Sequence, residues 1–350
     1  MNFKPECVAT AIGSFPHTSA DAALEIILEA IPEIPTWPQL PKISFFEDMN
    51  NQYSRALPCY FIDEKNNKSG FNTDKDFTGE LEKFYGRIID NDLEYFALDK
   101  KHSMGFSSLV NKLSSSDKKN LLSVKGQITG PLTLGLITDI VDGKFAIYKP
   151  DLFDAIVKSS IMNSKWQINK LKDIVDDVII FLDEPSLSVI GSGFYSVDND
   201  LILSSFNEII DGIRDNGGIP GMHCCGNADW DEMLKLGLGI INFDASDESI
   251  TDKFLNANNI EEFLEKGSAI AWGVVPTIKD KIESVEYKEI EGNFYSLVKR
   301  LSKRGISESK IIESSIITPS CGTGTLDISL SEKAMMLTKE LSNTIRGKNN

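Results

Sequence analysis

The chain has few cysteines, a deficit of positive charge and no long apolar run. Five cysteines in 350 residues are too few for a disulfide framework. Their odd number, with two of them adjacent at Cys224 and Cys225, points to a reducing compartment, so a cytoplasmic location is expected. Lysine and arginine number 36 against 52 acidic residues, a formal charge of -16. That balance offers no electrostatic footprint for a phosphate backbone or an anionic bilayer, so neither nucleic acid nor membrane is an expected partner. No stretch approaches the ~18 apolar residues of a membrane span. The opening MNFKPECVATAIGSFP lacks the charged start, apolar centre and cleavage site of a secretory signal. Also missing are a Gly-rich dinucleotide fingerprint after the first strand, a G-x-S-x-G elbow and an H-E-x-x-H helix.

What is present is a soluble-protein composition, 41% hydrophobic and 25% charged, with short apolar runs alternating with helical patterns. The expected strands are Ala9–Phe15, Leu93–Leu98, Leu121–Ile128, Val178–Leu182, Gly218–His223, Gly239–Phe243, Ser268–Val275 and Lys310–Ile317. Runs such as VIIFL and GIINF are apolar almost throughout, as parallel strands covered on both faces are. Lys149–Ile174 carries a helical apolar stripe, Ser331–Asn343 reads as a final helix, and Asn256–Lys266 as a short one. Thr18-Ser-Ala-Asp21 resembles a capping box before AALEIILEAI. Eight strands alternating with helices predict an α/β fold, a single (β/α)8 TIM barrel over residues 1–350, with a doubly wound sheet as rival. The proline-rich region 32–77 reads as a long excursion after the first strand, either a lid or pocket wall or an irregular surface insertion.

The stretch GMHCCGNADW, residues 221–230, holds two cysteines and one of three histidines. In extended backbone, alternate residues share a face, so His223 and Cys225 point one way and Cys224 the other. An imidazole and a thiolate suit zinc, which takes mixed N and S ligands tetrahedrally. In a barrel, Cys321 of IITPSCGTGTLD reaches the same mouth, and Asp244 of GIINFDA is the expected fourth ligand. Taken singly, each of these residues is as readily structural. Asp183 and Glu184 of FLDEPSL are candidate acids for proton transfer or for holding a substrate ammonium. Ser14, Gln127 and Thr129 are candidate mouth-lining groups, His17 a candidate base and Trp272 a candidate pocket wall; loop-bonding or core roles stand beside each.

Five motifs in order carry a resemblance: IGSFPHT at 12–18, GQITGPLTL at 126–134, FLDEPSL at 181–187, MHCCGN at 222–227 and TPSCGTGTL at 318–326. Together they resemble the superfamily of the catalytic half of cobalamin-independent methionine synthase, the corrinoid-dependent methyltransferases and uroporphyrinogen decarboxylase. The resemblance implies a TIM barrel with zinc at its C-terminal mouth, held by His223, Cys225, Cys321 and Asp244. It implies methyl transfer from a methyl-corrinoid or methyl-folate to a thiol such as homocysteine or coenzyme M. By the same resemblance, Asp183 would contact the amino group of homocysteine and Ser14 would lie near its carboxylate. The expected partners are a small-molecule thiol and a separate methyl-corrinoid protein, with the oligomeric state open. A zinc-dependent alkyl-thiol lyase or transferase, and a non-catalytic zinc- and thiol-binding protein, are the alternatives. Asp244 stands where the methionine synthase pattern has glutamate, and that enzyme's second, N-terminal barrel has no counterpart in this sequence.

Overall fold

The structure, a computed structural model, describes residues 3–73, 76–115, 117–137, 144–190 and 195–347. Nine strands are assigned among them: β1 (Val8–Ala9), β2 (Tyr60–Asp63), β3 (Lys68–Phe71), β4 (Val124–Thr129), β5 (Val178–Asp183), β6 (Gly218–Cys224), β7 (Ile240–Phe243), β8 (Ala269–Val275) and β9 (Ser315–Pro319). β2 and β3 form a separate antiparallel hairpin; the other seven make one parallel sheet in the order β1-β9-β8-β7-β6-β5-β4. Every residue of these seven strands is buried, which the near-continuous apolar runs require.

The gap between β1 and β4 is closed by an irregular segment in place of a regular strand. Ser14 bridges Gln39, and Thr36 bridges Lys125, both in parallel. The Gln39 amide donates to the Gly13 carbonyl at 2.9 Å, the Phe15 amide to the Gln39 carbonyl at 2.9 Å, and the Lys125 amide to the Pro35 carbonyl at 2.9 Å. Residues 34–39 therefore occupy the second position of the ring. Pro35 and Pro38 lack amide hydrogens, so the ladder is broken and the segment does not read as a strand. Leu93–Leu98, expected in that position, is instead a 3-10 helix over Leu93–Phe96. Asp92 caps it by accepting from the Tyr95 amide at 3.3 Å, and Phe96 is buried edge-on against Phe84. The excursion proper thus follows residue 39, and its residues 74 and 75 lie outside the described ones.

Three boundaries also shift. Lys310 belongs to the helix Glu308–Glu313 that precedes β9, the link between β7 and β8 holds two helices (Glu248–Leu255 and Ile260–Glu265), and Ser19, not Thr18, caps the first helix, Ala20–Ala30. The long helix Pro150–Lys172 opens on proline with Asp151 in its first turn and closes on Lys170 and Lys172, each where the helix dipole favours it. Among the described residues, no helix is long and apolar enough to cross a membrane.

Strand alternation divides the core in two. Val8, Ile34, Ile179, Phe181, Ile219, Ile240, Ala269, Ala271 and Ile316 pack together inside the ring. Met222, Cys224, Phe243 and Trp272 belong to the larger cluster between sheet and helices. Gly221 is required by this packing: a Cβ there would lie 2.2 Å from the Phe181 ring, which fills the interior at that level.

Candidate metal centre

Interior parity carries residue 223 upward from Ile219 and Gly221, so His223 points into the ring near its C-terminal rim while Cys224 points out. Cys224 is fully buried among outer-core residues, and burial pushes its thiol up to about 12. His223, Cys225 and Cys321 converge: their ligand atoms all lie within 4.8 Å of one another. The Cys321 sulfur is 3.6 Å from His223 Nε2, although 98 positions separate the two residues. Cys225 is drawn down to about 4, first by its hydrogen bond with Cys321 and then by that with His223. The same contact with Cys225, together with burial, drives Cys321 well above the ordinary thiol range. Burial works against a charge on His223, but Cys225, Asp183 and Asn242 outweigh it and raise the imidazole's affinity for a proton.

Asp183 ends β5 directly beside His223 in the parallel register. Burial raises its carboxyl to about 6, against the opposing pull of Lys125 and His223. Its Oδ1 is buried and has no hydrogen-bond partner among the described residues. Lys125, wholly buried on the neighbouring strand, donates to the Ile12 carbonyl at 2.5 Å and to Gln127 Oε1 at 3.2 Å. Its ammonium lies 4.7 Å from the centre of the Phe181 ring, and burial lowers it to about 8. The upper interior is therefore polar, with Phe181 as its floor.

The other expected site residues are engaged elsewhere. Glu184 points outward; its carboxylate accepts from the Leu132 amide at 3.0 Å, the Thr133 amide at 2.9 Å and the Thr133 hydroxyl at 2.6 Å. It caps the start of the helix Pro131–Ile137 and so is a structural carboxylate, which corrects its expected catalytic role. Gln127 is held by Thr36, Lys125 and the Trp37 carbonyl and so fastens the irregular segment 34–39 into the ring, while Thr129 donates to the Met49 carbonyl at 2.7 Å and fastens the excursion to the barrel. Trp272 is fully buried outside the ring, bonded to Ser315 at 2.8 Å, and is core instead of pocket wall. His17 is buried against Phe15 with Glu332 of the last helix at 3.6 Å, so it faces that helix. Asp244 Oδ1 accepts from the Ser246 amide at 2.9 Å and hydroxyl at 2.7 Å, and Asp244 is not among the residues whose ligand atoms converge. Ser14 lies at the Cys321 loop: its hydroxyl accepts from the Gly324 amide at 3.3 Å, and its carbonyl from Thr323. A Cβ at Gly322 would lie 2.1 Å from the Ser14 hydroxyl oxygen, so a side chain there would displace that hydroxyl from its place at the Cys321 loop.

Two residues of the site have no counterpart in the sequence expectations. Asn242 sits on β7 opposite His223, and Lys125 sits beneath the mouth. The signal for both is a polar residue at the interior parity of a strand, in IINF and SVKGQIT.

No family model matches the chain, and no curated protein matches it. Solved structures do. One, of the tandem GH20 catalytic modules in the pneumococcal exo-β-D-N-acetylglucosaminidase StrH, aligns over 96% of this chain and 85% of its own, with 10% identity and a TM-score of 0.50. A second, described for inhibition of the pneumococcal virulence factor StrH and for N-glycan recognition and hydrolysis, covers 97% of this chain and 84% of its own at 10% identity and a TM-score of 0.47. At this identity the first likeness speaks to the barrel fold. These findings correct the family expectation. The first of these structures belongs to a different TIM-barrel family, and no match places the chain in the methionine-synthase-like superfamily. The thiol methyltransferase activity, and the homocysteine and corrinoid chemistry that came with it, lose their support.

Proposed function

We propose that the C-terminal mouth of this barrel is a mononuclear zinc centre held by His223, Cys225 and Cys321, with a fourth position for a small-molecule ligand. The observation that carries this reading is the spacing of the donors. Zinc ligands at about 2.0 Å for nitrogen and 2.3 Å for sulfur, at a tetrahedral angle, stand roughly 3.5 Å apart. The Cys321 sulfur and His223 Nε2 are 3.6 Å apart, and all three ligand atoms fall within 4.8 Å. The donor set is chemically matched as well, one imidazole and two thiols, with Cys225 already favoured as thiolate.

Held by His223, Cys225 and Cys321, zinc would supply Lewis acidity to a ligand bound beside them. This chain's own residues do the rest. Asp183, beside His223 with one oxygen unpartnered among the described residues and its carboxyl raised by burial to about 6, offers an anchor for a ligand's N–H or O–H and a site for a proton. Lys125 beneath it balances its charge when ionised. Thr129 ties the excursion to the rim, and Gln127 ties in the ring segment 34–39. The glycosidase activity of the first structural neighbour is not extended to this chain, because a likeness at 10% identity speaks to the fold alone.

The test is metal analysis of protein purified anaerobically, followed by cobalt substitution. One equivalent of zinc, and sulfur-to-cobalt charge-transfer bands that vanish in Cys225→Ser and Cys321→Ser, are expected. Protein that holds no stoichiometric metal and gains no such bands with cobalt would overturn the reading.

A further inference from the structure

Asn242 lies on β7, wholly buried, in register with His223 on one side and Ala271 on the other. Its side-chain nitrogen donates to the Ala271 carbonyl at 2.9 Å and to the Thr318 hydroxyl at 2.8 Å. A backbone carbonyl only accepts, so the nitrogen end of the amide is fixed toward β8 and β9. The oxygen end therefore faces β6, where it meets His223 Nδ1 in a short hydrogen bond. An amide oxygen also only accepts, so Nδ1 must carry the hydrogen. The remaining lone pair of the neutral ring is then on Nε2, the atom that faces Cys321 at 3.6 Å.

We infer that Asn242 is the positioning residue of this centre: clamped by Ala271 and Thr318, it holds His223 in the Nδ1–H tautomer and aims Nε2 at the point shared by Cys225 and Cys321. The inference rests on the zinc reading for its purpose but not for its geometry. Four adjacent strands contribute, β6 through β9, so the ring's own hydrogen-bonded register transmits the orientation. Partners of this kind on a metal-bound histidine fix ring orientation and tautomer, and their loss typically weakens metal binding by ~10–100-fold. In the sequence Asn242 is marked only by its interior parity inside an apolar strand, because a neutral amide brings no charge.

The experiment uses the full chain and two variants. Asn242→Leu keeps the volume and removes the acceptor. Asn242→Asp keeps an acceptor toward Nδ1. Nitrogen-15 NMR of the three histidines reads the tautomer of His223 on the alkaline side of its titration, in metal-free protein. Zinc affinity is measured by competition with a chromophoric chelator, and thermal melts show that each variant is folded. The native chain should show the Nδ1–H tautomer. Asn242→Leu should shift toward Nε2–H, the form free imidazole side chains prefer, and lose ~10–100-fold in zinc affinity. Asn242→Asp should keep the Nδ1–H form and restore most of the affinity. If Asn242→Leu fails to fold, Thr318→Val, which removes one of the two clamps, should give a smaller shift in the same direction. A native chain in the Nε2–H form, or an Asn242→Leu protein with unchanged tautomer and unchanged affinity, would overturn the inference. The two readings fail separately. A native chain that binds no zinc but loses its Nδ1–H form in Asn242→Leu keeps Asn242 as positioning residue and discards the zinc centre. Tight zinc binding that ignores both variants does the reverse.

Discussion

The lower and upper halves of the barrel interior are built from the same strands by the same alternation, yet they are different materials. Below Phe181 the ring is filled by Val8, Ile34, Ile179, Ile219, Ile240, Ala269 and Ile316, side chains with no polar atom to satisfy. Beside it and toward the rim stand Lys125, paired with Ile179 but reaching the Phe181 ring, Gln127, paired with Phe181, and Asp183, His223, Asn242 and Thr318, all buried. Apolar filling stabilises by simple removal of area from water. A buried polar layer is stable only if its groups are paired, and most of this one is: Gln127 and Asn242 have both ends of their amides bonded. Among the described residues, one oxygen of Asp183 is left over, and the convergent ligand atoms of His223, Cys225 and Cys321 meet one another. The proposed metal centre sits where the pairing of the upper layer with other groups stops.

The largest effects should come from the convergent donors. Cys225→Ser and Cys321→Ser are each expected to abolish stoichiometric metal, a loss beyond the ~100-fold that outer partners such as Asn242 control. Cys224→Ser, one residue away but facing the outer core, should keep metal and lose stability instead, because it places a hydroxyl in a fully buried apolar setting. Metal content by mass spectrometry beside a denaturation curve separates the two outcomes. Metal loss in Cys224→Ser with retention in Cys225→Ser would reverse the inside and outside faces of β6.

Much of this is legible in the sequence, and unevenly so. The strands from Val178 onward stand within a few residues of where apolar runs place them, because a strand buried on both faces has few other ways to be written. The convergence of residues 223, 225 and 321 is legible from parity and barrel closure together. The second position of the ring is not, since Pro35 and Pro38 remove the alternation by which strands are recognised and leave only two bridges. Glu184 and Trp272 escape the sequence reading for one reason. A strand-end residue or an aromatic in a strand points inward or outward by parity, and a shift of one residue in the assumed register exchanges the two. Glu184 follows the inward Asp183, and Trp272 follows the inward Ala271. The resemblance rests on motifs that a barrel mouth can carry for several purposes, and the chain matches no family model that would fix one.

The floor gives the next effect. Phe181 is fully buried, stands against Gly221, and has the Lys125 ammonium over its ring. Phe181→Ala would leave a void that Gly221 has no side chain to fill. A loss of about 3–5 kcal/mol is expected, the usual range for such truncations. Urea denaturation measures it. Metal binding should survive if the two halves of the interior are independent, and a joint loss of both would show that the floor sets the spacing of the donors.

Glu184 sharpens the same comparison through pH. Burial raises its carboxyl to about 8 in the folded chain, against an ordinary value near 4.5. The folded state therefore binds the proton more tightly than the unfolded one, and the associated stability is full below about pH 4.5 and lost as pH rises toward 8. Glu184→Gln carries no proton to lose and can still accept from one amide. Its stability should fall less steeply across that window than that of the native chain, as followed by denaturation midpoints. Parallel pH profiles for the two proteins would mean that Glu184 is ionised throughout and that its three hydrogen bonds outweigh its burial.

Asp244 should give the smallest effect, and it bears directly on the metal shell. Its position after β7 first suggests a fourth ligand, but its Oδ1 accepts from both the amide and the hydroxyl of Ser246. That is a local turn in which a short carboxylate replaces a backbone acceptor. Burial raises its carboxyl above the usual range while the two Ser246 hydrogen bonds work the other way. A carboxylate so held is satisfied where it stands, and Asp244 is absent from the convergent donors. Asp244→Ala should therefore cost about 1 kcal/mol, the net value of a hydrogen-bonded turn, and leave zinc affinity and the cobalt spectrum unchanged. Asp244→Asn, which keeps an acceptor toward Ser246, should recover most of the stability. The outcome that would count against this is a cobalt spectrum altered in both variants, because the asparagine substitution preserves the turn and differs from the native side chain chiefly in charge. In that case Asp244 would swing from Ser246 to the metal on binding, and the fourth position would belong to the chain instead of to an incoming ligand.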